Sequence, residues 1–137
     1  TLIIRSHPQT DANLIKKNFD KKNYNNCIIG KKSTINYLRE SDILISSMSS
    51  ICMEALAKGK PCLVYDESVG VEYNPIPETI NKNYWKLCKN EQQILNNLTY
   101  FFNFSKSEYI KLEEESYKIR KNYFFESNID NCKKFIN

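Results

Sequence analysis

The chain reads as an α/β protein: a Rossmann-like open parallel sheet with helices on both faces and further helices toward the C-terminal end. Short apolar runs alternate with segments of helical period from the first residues to about position 90. Each run is apolar throughout instead of alternating with polar residues, the pattern of strands covered on both faces. The connections are long enough for right-handed crossovers between parallel strands.

Leu2–Arg5 is the first strand, ending in the turn Ser6-His7-Pro8. Asp11 caps a helix to about Phe19, with Ala12, Ile15 and Phe19 on one face. Cys27-Ile28-Ile29 is the second strand, closed by Gly30. Ser33 or Thr34 starts a short helix to about Glu40 that buries Ile35 and Leu38. Ile43-Leu44-Ile45 is the third strand, and Ser46–Ser50 turns the chain. Ile51–Lys58 is helical and stops at Gly59, the residue type that best tolerates a left-handed C-terminal cap. Pro61–Tyr65 is the fourth strand.

Asp66–Asn83, with Gly70, Pro75 and Pro77, reads as an irregular loop, and Tyr84–Cys88 as a fifth strand. Glu91–Phe102 is a helix with Ile94, Leu95, Leu98, Phe101 and Phe102 facing inward. Ser107 caps a longer helix to about Phe124, on which Tyr109, Leu112, Ile119 and Tyr123 follow the helical period. A last short helix covers Ile129–Ile136.

Length and composition bound the function. The 137 residues suit one domain, 1–137, and the 41% hydrophobic and 26% charged content is that of a globular chain. The net charge of +4 is spread evenly, and only three of twenty cations are Arg, which argues against nucleic-acid recognition. The five cysteines form no C-x-x-C pair, and with one His they offer no zinc pattern, so no metal is expected. They read as buried, reduced thiols of a cytoplasmic protein. No cofactor fingerprint is present: neither G-x-G-x-x-G nor G-x-x-x-x-G-K-[ST] follows a strand. The chain opens on an apolar run without Met, and we expect a fragment of a longer, two-domain protein.

In open parallel sheets, ligands sit at the carboxyl ends of the strands. Attention therefore falls on Ser6-His7-Pro8, Gly30-Lys31-Lys32, Ser46–Ser50 and Asp66-Glu67. The turn Ser46–Ser50 precedes a helix whose first N–H groups have no internal acceptors and carry the positive end of the macrodipole, a natural anion site. Ser49 and Ser50 are best placed to add hydroxyls. The competing reading is that Ser50 only caps the helix, although capping needs one serine and four are present.

Glu54 lies one turn into an apolar helix and needs hydrogen-bond donors if buried; a ribose diol would supply two, whereas a solvent-facing Glu near the dipole would need none. His7, the single His, has an ordinary pKa near neutrality and could protonate a departing phosphate, or be structural. Arg5 could neutralise phosphate or flank its strand.

The run Ser41-Asp42-Ile43-Leu44-Ile45-Ser46, followed by Ser49-Ser50, Glu54-Ala55 and Gly59-Lys60-Pro61, resembles the C-terminal nucleotide-binding domain of GT-B fold glycosyltransferases. It is similar in particular to bacterial capsule and surface-polysaccharide enzymes of the polysialyltransferase, Kdo-transferase and CDP-glycerol glycerophosphotransferase kinds. Arg5-Ser6-His7-Pro8 matches their H-P motif, and the resemblance covers about residues 1–66.

By this resemblance the chain is half of a GT-B fold that binds a nucleotide-activated sugar or polyol phosphate donor, with a cytidine-linked donor suggested by the serine pair. His7 would contact the donor phosphate and assist its departure, Ser49 and Ser50 would hold the phosphate, and Glu54 would bond the ribose. The glycan or lipid-linked acceptor would bind through an N-terminal domain outside this chain, so the fragment is expected to turn over nothing alone. Peripheral contact with the inner face of the cytoplasmic membrane, through the aromatic and Lys-rich stretch Tyr117–Phe135, is a further expectation. So is a homo-oligomer formed through an exposed sheet edge. Two other readings stay open: a UDP-N-acetylglucosamine 2-epimerase-like enzyme, whose family has a glycine pair where this chain has Ser49-Ser50, and a non-catalytic flavodoxin-like binding module.

Overall fold

The computed structural model describes residues 1–6, 11, 13, 15–17, 26–66 and 74–124. The protein is α/β, and every strand pairing among the described residues is parallel. The strands fall into two small sheets instead of one, in two compact units, Thr1–Glu40 and Ser41–Asn137. Apolar runs mark the strands but do not say which strand pairs with which, so this division was not legible in them.

In the first unit β1 (Leu2–Ile4) pairs with β2 (Cys27–Ile29), with Ile3 opposite Ile28. The ladder is extended at both ends, where Leu2 N–H donates to the Asn26 carbonyl and Gly30 N–H to that of Ile4. Asp11 accepts from the Asn13 amide at 2.9 Å, as a cap should, and residues 13 and 15–17 are helical. Ala12 and Phe19, expected on that helix's inner face, lie outside the described residues.

α1 (Thr34–Glu40) buries Leu38, as expected. Ile35 is 45% exposed, against expectation. It sits about 60° round the helix from Leu38, enough to leave a narrow buried row. Gly30 closes β2 because the Tyr37 ring lies against it: a Cβ there would come 2.7 Å from the ring. The Tyr37 hydroxyl in turn accepts from the Lys31 and Lys32 amides at 2.8 and 3.1 Å, which fixes the turn.

The second unit is built on β3 (Leu44–Ser47), β4 (Cys62–Tyr65) and β5 (Trp85–Cys88), with β4 in the centre. Period-2 alternation divides the side chains of β4 between two cores. Cys62 and Val64 pack with Trp85 on one face, while Leu63 packs with Cys88 on the other. The first face is covered by α2 (Ile51–Ala57) and α4 (Lys106–Tyr123), through Cys52, Leu56, Leu112 and Ile119. The second is covered by α3 (Glu91–Phe102), through the fully buried Phe101. Helices on both faces of a parallel sheet, expected from the continuous apolar runs, are therefore present in this unit.

The ends of these helices follow local chemistry. α2 stops in a Schellman arrangement: Gly59, at φ +67°, donates to the Leu56 carbonyl, and Lys60 donates to that of Ala55. α3 has the expected bounds, and its cap Asn90 accepts from the Gln93 amide. α4 is capped by Ser105 and not by Ser107. Glu108 stands three residues after Ser105 and closes a capping box with it, at 2.6 Å from carboxylate to the Ser105 amide. Ser107 has no acid at that spacing.

Two further expectations need correction. Leu95 and Phe102 are not inward-facing: they are 58% and 70% exposed, because one three-stranded sheet accepts only the central row of α3. The segment Asn74–Asn83 lacks regular structure, as expected, yet buries Ile76 and Ile80 in the main core. The buried indole of Trp85 donates to the Ile80 carbonyl at 3.2 Å and holds that segment in place. The helix expected over Ile129–Ile136 lies outside the described residues.

Candidate functional site

The site expected from the sequence begins where β3 ends. β3 runs through Ser47, so Ser46 and Ser47 are strand residues opposite Val64 and Tyr65 rather than parts of a turn. The turn itself is Met48–Ser50. Ser47, Tyr65 and Cys88 share one register row, which puts Met48, Asp66 and Lys89 next along the carboxyl edge of the three parallel strands. This is the edge at which open parallel sheets take their ligands.

Ser50 occupies the N-cap position of α2 at φ −58° and ψ −18°, and its hydroxyl makes no capping hydrogen bond. Asn90 and Ser105, the working caps of α3 and α4, are extended instead. An N-cap must be extended for its side chain to fold back on the N2 or N3 amide. The α-region backbone of Ser50 makes it the first helical residue instead of a cap, and the residue is exposed. The role of simple cap, which competed with anion binding in the sequence, does not describe it.

The first amides of α2 are less open than the sequence implied. Cys52 N–H donates to the Ser49 carbonyl at 3.1 Å and Met53 N–H to that of Ser50 at 3.0 Å. These i→i−3 bonds tighten the first turn and use two of the donors. Among the described residues the amide of Ile51 is held by the Ser49 hydroxyl alone, at a long 3.5 Å. An anion here would meet one weakly held amide and the hydroxyls of Ser49 and Ser50.

Glu54 follows on the same helix and is half-buried. Its neighbours Cys52, Ala55, Leu56 and Ala57 are buried, as an apolar helix requires. Among the described residues no hydrogen bond or ion pair engages the Glu54 carboxylate. That leaves its acceptor capacity open at the rim of the helix.

Two residues lie in the first unit. The Arg5 guanidinium donates to the Lys32 carbonyl at 3.2 Å and to the Thr34 hydroxyl, so it ties β1 to the start of α1. Of the two roles the sequence offered, this engagement is the structural one. His7 lies outside the described residues.

Asp66 was not singled out in the sequence beyond its place after a strand. It is buried to 8% exposure directly after β4, and its amide donates to the Cys88 carbonyl at 2.9 Å. An acid directly after an apolar run is the signal that marks it, and only burial distinguishes it from an ordinary loop acid.

The thiols beneath the turn are structural. Cys52 and Cys62 are fully buried in one core, and the Cys62 thiol is held well above its ordinary range by its hydrogen bond with Cys52 and by burial. Among the described residues no cluster of His, Cys, Asp or Glu is arranged to hold a metal ion. Nor is any described helix long and apolar enough to cross a membrane.

No family model, curated protein or solved structure matches this chain.

Proposed function

We propose that the turn Met48–Ser50 and the first turn of α2 hold the phosphate of a nucleotide-activated donor, and that the chain is the donor-binding domain of a glycosyltransferase of capsule or surface-polysaccharide synthesis. The observation that carries this reading is Ser50: it stands at the carboxyl edge of a parallel β-α-β unit with its hydroxyl free of any capping bond. The phosphate would accept from the hydroxyls of Ser49 and Ser50 and from the Ile51 amide, aided by the dipole of α2. With seven residues, α2 contributes a modest field. The hydroxyls therefore carry much of the recognition, and affinity for a nucleotide alone is weak.

Glu54, lying farther along the helix and without a partner among the described residues, would accept from the ribose hydroxyls. The resemblance alone would give His7 a general-acid role toward the departing phosphate as an acceptor hydroxyl displaces it. The acceptor and its base would come from a further domain, so this chain binds without turnover. A cytidine-linked donor, and a working place at the cytoplasmic side of a membrane, belong to the same reading and rest on the resemblance of Ser49-Ser50, Glu54-Ala55 and His7-Pro8.

Calorimetric titration with CMP, CDP, UDP and GDP tests it. The reading predicts weak, saturable heat with a cytidine nucleotide, reduced by Ser49→Ala and Ser50→Ala. No heat with any of the four contradicts it, and binding indifferent to both substitutions leaves the non-catalytic module as the better description.

A further inference from the structure

We draw no further inference here: the strongest candidate, the Asp66 side chain buried at the carboxyl end of β4, belongs to the site already described, since it lies on the same edge of the sheet as the turn that carries Ser49 and Ser50.

Discussion

Arg120 donates from Nη1 to the Ala57 carbonyl at 2.6 Å, and so closes the far end of the helix whose first turn is the candidate site. The same nitrogen reaches the Ser116 hydroxyl at 2.9 Å, and Nη2 reaches Glu113. A cation at a helix C-terminus complements the macrodipole and satisfies an otherwise unpaired carbonyl. α4 therefore fixes the axis along which α2 presents Ser49 and Ser50.

Removing this contact should cost stability. Arg120→Ala is expected to lower the unfolding free energy by about 2 kcal/mol, the scale of a hydrogen bond to a charged group. Urea denaturation reads it. Arg120→Lys, which keeps the charge and loses the fork, should recover less than half.

Gly59 is favoured at its position for a backbone reason. At φ +67°, a side chain meets the left-handed penalty of about 1–2 kcal/mol. A Cβ would also stand 2.8 Å from Glu113 Oε2, but that carboxylate is the flexible end of its side chain. Gly59→Ala should thus destabilise by about that amount, and adding Glu113→Ala should recover little of it. Chemical denaturation of the single and double variants separates the two causes.

Neighbouring phenylalanines should behave oppositely. Phe101 is fully buried against Leu63 and Cys88, and Phe101→Ala should cost about 3–5 kcal/mol. Phe102 is 70% exposed, and Phe102→Ser should change stability by less than about 0.5 kcal/mol. Paired thermal melts check both.

The capping box of α4 makes stability depend on acid. Hydrogen bonds from the Ser105 hydroxyl and amide hold the Glu108 carboxyl below its ordinary range. A folded-state value below the unfolded one adds stability above the unfolded pKa, and that stability is lost as pH falls through the folded pKa. Unfolding free energies of wild type and Glu108→Gln should differ at neutral pH and converge in acid.

The residues explain how far the sequence could be read. Local signals sufficed for the bounds of α3, for the stop at Gly59 and for the run of β4, because each depends on neighbours within a few residues. The Ser105 cap was equally local, and the spacing from Ser105 to Glu108 was the signal that favoured it over Ser107. What escaped was long-range: the split into two sheets, the Tyr37 hydroxyl stapling the turn after Gly30, and Arg120 closing a helix 63 residues upstream. No periodicity encodes those pairings. At the site, position was legible and hydrogen bonding was not. The serines do lie at the carboxyl edge of the sheet, but that the Ser50 hydroxyl makes no capping bond goes with a backbone angle that composition does not reveal.

Amide chemical shifts of the ¹⁵N-labelled chain, followed during titration with CDP, test the central claim most directly. The account predicts that the largest saturable shifts fall on Ser49, Ser50 and Ile51, and that they vanish in the Ser49→Ala/Ser50→Ala double variant. Shifts centred on any other part of the fold, or none at all at millimolar nucleotide, would contradict it.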